Sequence, residues 1–408
     1  MRQKSDLRLL LGIEHTIIQA PIAGANTPEL VAAVSNTGGL SIFGAADRTP
    51  AQIAEVVAAI RRLTGRPFGV NLFAGNTEAT LTSDPQPMYE ILSRHHEALN
   101  IPPPSIPETA VIPFGEQLEA VIDAGMPIFS FTFGIPNPDQ LARLRAHNVV
   151  VIGTATTVEE GRLLESAGVH AIVAQGSEAG SHRGTFQRSF EESMIGTMAL
   201  VPQMVDAIGL PVIASGGIMD GRGIVAAQAL GASGVPMGTA FLTCHEAGVP
   251  EAHKAAIRNA RADQTALTRA FSGRPARGIV NDYIIELRQH PGAILPFPIQ
   301  NNATRLLRNA AGARGDTRFM SLWAGQAAAL ARDLPAGELV GQLVRVGRDP
   351  CGSCRGVIGH NVTKHRSGDI RAMRKTEQGS DSHSIRGGES KRLCRPSFAP
   401  LTTIRSIP

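Results

Sequence analysis

The segment Ala174-Gln-Gly-Ser-Glu-Ala-Gly-Ser-His-Arg-Gly184 sets an imidazole, His182, among glycines directly after the short apolar run Val169–Val173. A histidine titrating near its ordinary value of about 6.5 can accept a carbon-bound proton at neutral pH or hydrogen-bond an anion, and Arg183 beside it would help to attract that anion. Gly176, Gly180 and Gly184 read as positions of positive φ where the backbone can approach a flat ligand. A loop histidine on its own more often bonds backbone. The company of Gln175, Glu178, Arg183 and three glycines favours chemistry here. His15, His95, His96, His170 and His245 have no matching loop and read as structural.

Such a loop needs a scaffold. Eight short apolar runs recur along the chain: 16–20, 39–43, 68–73, 127–131, 149–152, 170–173, 211–214 and 234–238. Helical patterns separate most of them, at 28–36, 50–63, 138–146, 158–168, 198–208 and 221–230, several opened by proline or acid. Alternating strand and helix, eight times over, predicts an α/β fold of the (β/α)8 TIM-barrel type. The spacing breaks at a proline-rich insertion, 74–115, too long for an ordinary loop. Residues 246 to about 330 read as amphipathic helices, so 246–345 is expected to form a helical lid and a closing helix on a barrel spanning 8–245.

In barrels of this kind the C-terminal strand ends build the site. Gly216 and Gly217 after the seventh run, and the turn Pro236-Met-Gly-Thr239 after the eighth, expose backbone N–H groups suited to a phosphate. Asn71 and Gln175, amides at strand ends, can read the polar edge of a heteroaromatic ring.

The composition bounds the rest. Among 408 residues, 43% are hydrophobic and 18% charged, as in a water-soluble globular protein, and no apolar run reaches the roughly 18 residues of a membrane span. The first residues carry no apolar export segment, which makes a cytoplasmic location the expectation. Residues 346–408 hold 12 Lys/Arg against 5 Asp/Glu, a surplus of 7 that leaves −3 of the net +4 on residues 1–345. The basic excess therefore sits in a low-complexity tail, expected to be disordered, and gives no reason to expect nucleic acid. Cys351-Gly-Ser-Cys354 with His360 and His365 suggests zinc at first sight. It lacks a second cysteine pair, and no metal is expected.

Four collinear segments, Gln19–Leu40, Phe129–Gly134, Gln175–Gly184 and Ala214–Gly223 continued by Met237–Leu242, resemble the nitronate monooxygenases, FMN-dependent (β/α)8 barrels. The resemblance spans roughly residues 8–345. It implies FMN held by Ala23, Asn71, Gln175, Gly180, Gly216, Gly217, Pro236, Met237, Gly238 and Thr239, with His182 as the catalytic histidine. It further implies a small alkyl nitronate, such as propionate 3-nitronate, and O2 as reactants giving a carbonyl compound and nitrite. No reduced nicotinamide, nucleic acid or membrane partner is implied, and a monomer or homodimer is expected. FMN-dependent NAD(P)H:quinone and enoyl reductases share the FMN loops and are the alternative; a flavin-binding regulatory module is the reading from another class. Two positions depart from the family: Ser181 stands where a second glycine is usual, and Pro236 where glutamine is usual.

Overall fold

A computed structural model describes residues 6–75 and 78–348. The tail from residue 349, with the expected disorder and the Cys351, Cys354, His360 and His365 cluster, lies outside the described residues.

The expected barrel is present. Its strands are β1 (Ile17–Gln19), β2 (Leu40–Gly44), β3 (Gly69–Phe73), β4 (Ile128–Thr132), β5 (Val150–Ala155), β6 (Ala171–Gln175), β7 (Val212–Ser215) and β8 (Val235–Met237). They pair in parallel in the order β1 to β7, with β8 beside β1. Helices α1 (Pro28–Asn36), α2 (Pro50–Leu63), α3 (Phe114–Asp123), α4 (Pro138–Ala146), α5 (Val158–Ala167), α6 (Thr197–Ala207), α7 (Gly221–Ala229) and α8 (Ala336–Arg348) follow the strands. Local chemistry starts them where the sequence suggests. Thr27, Thr49, Asn137 and Thr157 cap α1, α2, α4 and α5 with side-chain oxygens, and proline occupies the first turn of α1, α2 and α4. The ring closes through α8, which packs on both α1 and α7.

β7 and β8 meet at a single bridge, Ile213 to Gly234, supported by the Ala214 N–H donating to Gly234 O at 2.9 Å. Two residues further on, Pro236 has no N–H for the next rung, so the ladder ends there.

Two apolar layers sandwich the barrel sheet. Ile18, Leu40, Ile42, Ile128, Ile152, Ala171 and Ile213 pack inside it against Leu7 and Leu11 of the short N-terminal helix. Leu30, Val57, Leu118, Leu144, Leu164, Val201 and Leu339 pack the helices onto the outer face of the sheet.

A third core corrects the picture of a purely helical lid. Residues 246–330 contain helices Glu251–Arg258, Asp282–Gln289, Ile299–Ala303 and Arg305–Arg314, and also an antiparallel hairpin of Thr265–Thr268 with Ala276–Ile279. The proline-rich insertion is structured as well: Glu78–Thr80 pairs with Thr109–Val111, and Gln86–Ala98 is a helix. Met88, Ile91 and Leu92 from that helix pack with Phe271, Tyr283, Ile284 and Leu287. The two insertions therefore share one apolar core, which neither could bury alone.

One buried carboxylate ties this scaffold to the glycine-rich loop. Glu160 on α5 is fully buried. One of its oxygens accepts from the Thr156 N–H and Thr156 hydroxyl, both at 2.6 Å. The other accepts from Thr185 Oγ1 at 2.9 Å, Phe186 N at 2.7 Å and Gln187 N at 3.0 Å. It fastens the chain leaving the His182 loop to the end of β5. Glu160→Gln replaces one acceptor oxygen by a donor facing donors, and should lower unfolding stability by about 3 kcal/mol in denaturant titration; a loss below about 1 kcal/mol would contradict this role.

Candidate active site

The C-terminal ends of the strands surround a cavity of about 840 Å³, a size that suits a cofactor together with a small ligand. The eleven residues that the family resemblance points to all line it: Ala23, Asn71, Gln175, Gly180, His182, Gly216, Gly217, Pro236, Met237, Gly238 and Thr239; Gly176, Arg183 and Gly184 do not. Strand ends supply most of them, and the loop after β6 supplies His182.

His182 is held by the lid as well as by its own loop. Ser181–His182 forms the third strand of the hairpin sheet, with His182 opposite Ala276 and Ser181 opposite Arg277. Four aromatic rings surround the imidazole: Phe133 at 5.7 Å, Trp323 at 5.9 Å, Phe73 at 6.0 Å and Phe297 at 6.1 Å between centroids. Burial among them, with the Arg274 and Arg308 cations nearby, pushes the His182 pKa down to about 3. Arg274 lies over the Phe133 ring at 3.7 Å and donates to Thr185 O.

Hydrogen bonding fixes the imidazole tautomer. His182 Nε2 lies 2.9 Å from Ser272 Oγ, and Ser272 is buried. That hydroxyl also lies 3.0 Å from Arg274 O and accepts from Arg274 N at 3.3 Å. Only one arrangement satisfies every group. The hydroxyl proton goes to the Arg274 carbonyl, and Nε2–H donates to Ser272, leaving Nδ1 with the lone pair. The pair thus presents a neutral imidazole with a defined basic nitrogen.

The glycines of the loop act differently from the expectation. None of Gly176, Gly180 and Gly184 has positive φ; Gly176 and Gly180 are needed because other chain passes against them, whereas Gly184 faces only the side chains of Thr154, Thr132 and Gln175. A Cβ at Gly180 would lie 2.6 Å from Gly325 N, and one at Gly176 would lie 2.0 Å from Thr197 Oγ1. The left-handed residue is Ser181, at φ 63°. Phe133 is also left-handed, at φ 79°, so strain collects on two sides of His182. Gly216 and Gly217, at φ 112° and 72°, do use glycine's freedom to turn the chain after β7.

Several predicted side chains brace the site. Gln175 donates to His182 O at 3.1 Å and accepts from Gly184 N at 2.8 Å. Thr239 Oγ1 accepts from Gly325 N at 2.9 Å, and Asn71 donates to Ser130 Oγ at 2.8 Å. Arg183 corrects its expected role of drawing an anion. It is 4% exposed, is absent from the cavity wall, and donates to the carbonyls of Gln175 and Ser193. The cations that line the cavity are Arg48, Arg305 and Arg308, and Arg274 and Arg308 are the ones that act on the charge of His182. Ser272, Arg274, Phe297, Arg308 and Trp323 were not legible as site residues. Their only trace was the Gly/Pro punctuation at Ser272-Gly-Arg-Pro275.

A depressed pKa means that the folded state resists protonating His182. The stability this group contributes is complete above about 6.5 and is lost as pH falls from there toward about 3. Nitrogen NMR of the labelled protein should show His182 neutral between pH 5 and 8 with the proton on Nε2; a midpoint near 6.5 would contradict this. In Ser272→Ala the same spectrum should show mixed tautomers, whereas an unchanged pure Nε2–H form would remove Ser272 from the positioning role.

Known proteins fit this geometry. A family model described as nitronate monooxygenase matches residues 4–345. A relative from Staphylococcus aureus strain Newman, described as "Probable nitronate monooxygenase", is 44% identical over 345 residues, covering 84% of this chain and 97% of the relative. Nitroalkane oxidase from Streptomyces ansochromogenes is 37% identical, with a TM-score of 0.77 over 87% of this chain and all of its own. FabK from Thermotoga maritima is 28% identical, with a TM-score of 0.68 over 87% of this chain and 99% of its own. Among the described residues no helix is long and apolar enough to cross a membrane. A strand-end cavity around a neutral, tautomer-fixed histidine, within a match spanning nearly all of the described chain, identifies an oxidoreductase, and the chain belongs to the nitronate monooxygenase family.

Proposed function

We propose that the protein is an FMN-dependent nitronate monooxygenase that oxidises small alkyl nitronates, propionate 3-nitronate among them, with O2 to carbonyl compounds and nitrite. The observation that carries this reading is His182. A neutral imidazole in an aromatic box, with two cations behind it, suits an anionic substrate and can take a proton from a neutral nitroalkane.

The residues present fit FMN. An added Cβ at Gly24 would meet nothing within 4 Å, and one at Gly238 would meet only Ile22 Cδ1 at 3.6 Å and Ala20 Cβ at 3.9 Å. Both glycines thus leave room beside the cavity. The left-handed Gly216–Gly217 turn and the Gly238–Thr239 turn would hold the phosphate. Asn71, with Nδ2 engaged by Ser130, keeps its amide oxygen for a ring N–H. When bound, FMN supplies the redox chemistry that joins nitronate oxidation to oxygen. The chain supplies the rest: Nδ1 of His182 as proton acceptor, Ser272 to hold its tautomer, Phe73, Phe133, Phe297 and Trp323 to exclude water, and Arg274 to favour negative charge.

Oxygen uptake with propionate 3-nitronate tests the reading. The parent is expected to turn over without NADH. His182→Asn should lower kcat/KM for a neutral nitroalkane by about 100-fold or more, and unaltered turnover would reject the base role. Anaerobic flavin reduction by NADH, with no response to a nitronate, would instead favour a nicotinamide-dependent reductase. Pro236→Gln, which restores the family's usual side chain at the cofactor turn, is expected to slow FMN dissociation; equal rates in the two proteins would clear Pro236 of any part in FMN retention.

A further inference from the structure

One short stretch of the lid, Trp323-Ala-Gly-Gln326, joins the turn after β8 to the aromatic box around His182. Gly325 N–H donates to Thr239 Oγ1 at 2.9 Å, and Gln326 N–H donates to Glu178 O at 3.0 Å. Successive amides thus fasten the stretch to the turn after β8 and to the loop after β6. The approach leaves no room for a side chain: a Cβ at Gly325 would lie 2.8 Å from Glu178 O and 3.2 Å from Gly180 N. Two residues before Gly325, the Trp323 ring packs 5.9 Å from His182 and 5.6 Å from Phe271, and the Trp323 carbonyl lies 3.1 Å from His253 Nε2.

Thr239 is 8% exposed and lines the cavity. Its oxygen accepts from the lid, yet among the described residues its hydroxyl proton has no protein acceptor. Glu178, the carboxylate of the facing loop, is already engaged by the Thr197 N–H and hydroxyl, each at 2.9 Å. A nearly buried hydroxyl with an unshared proton calls for an acceptor on a ligand. An oxyanion that takes this proton holds the side chain in its present rotamer and makes its oxygen the better acceptor for Gly325 N–H. Serine could relay in the same way; valine, the isostere without a hydroxyl, could not.

Resting on the FMN reading above, we propose that Thr239 and Gly325 form a latch through which the phosphate group of the cofactor sets Trp323 against His182. Thr239 is the positioning residue, with the phosphate on one side and the lid amide on the other. When the phosphate is in place, residues 323–326 are held down and the aromatic box stays closed over the imidazole. A flavin without phosphate leaves the Gly325 bond unreinforced, so the stretch opens more often and Trp323 is more exposed. The dry chamber around the base is then fully assembled only with a phosphate-bearing cofactor.

Trp323 is the single tryptophan of the chain, so its emission reads the latch directly. The probe is inorganic phosphate added to the flavin-free full-length chain, against chloride at equal ionic strength, with acrylamide quenching as the readout. Saturating phosphate should lower the quenching constant of Trp323 at least about twofold; Thr239→Val should abolish the change, and Thr239→Ser should recover most of it. A parent constant unmoved by phosphate, or a Thr239→Val chain that responds as the parent does, would overturn the latch. If Thr239→Val does not fold, the parent loaded with FMN or with riboflavin decides, since both carry the same ring system. Quenching at least about twofold easier in the riboflavin form supports the latch, and equal quenching overturns it. A chain that takes up neither flavin would sink the FMN reading separately, while the phosphate titration would still decide the latch.

Discussion

The site depends on a buried carboxylate that takes no direct part in it. Glu160 collects five donors from two stretches of chain, one leaving β5 and the other leaving the His182 loop. A charged group in that position is tolerable only because every oxygen lone pair is in use. The same charge offsets part of the burial cost of Arg183 and Arg274. Arg183 knots the loop to β6, and Arg274 frames the aromatic box. One anion thus keeps two buried guanidiniums tolerable and the His182 loop in register.

His182 is set by three layers of control. The loop places its backbone, the lid hairpin pairs with that backbone, and Ser272 fixes which ring nitrogen carries the proton. The last two could not be supplied by the barrel alone. Ser272, Phe297 and Trp323 all come from the segment inserted between β8 and α8. The barrel provides the cavity floor, its turns and the His182 loop, while the lid provides the hydroxyl that His182 Nε2 meets and two of the four rings around it.

The sequence made the barrel legible because strand and helix periods alternate and because caps and prolines mark the helix starts. It also made the floor of the site legible, since strand ends are fixed by the fold: Asn71, Gln175, Gly217 and Gly238 could be placed before any coordinate. Other features resisted reading. Gly176 and Gly180 look like ligand-facing glycines, but their small size answers to Thr197 and Gly325, which are distant in sequence. Arg183 lies next to His182 in the chain, yet its side chain turns into the protein, onto the carbonyls of Gln175 and Ser193. Arg308 and Ser272 lie 126 and 90 residues from His182, and no local pattern links them. Helix α3 was hidden by the adjoining prolines, and the lid hairpin by the helical periodicity around it.

The apolar core shared by the two insertions also bears on how such enzymes diversify. Met88 and Leu92 from one insertion meet Tyr283 and Leu287 from the other, and that joint surface carries the helix of Arg308 and the strand pairing with His182. Neither insertion is an independent cassette. A lineage or a designer exchanging one for a new specificity would have to exchange both in step, so variation in the substrate chamber should travel as a linked pair of segments some 130 residues apart while the barrel beneath stays unchanged.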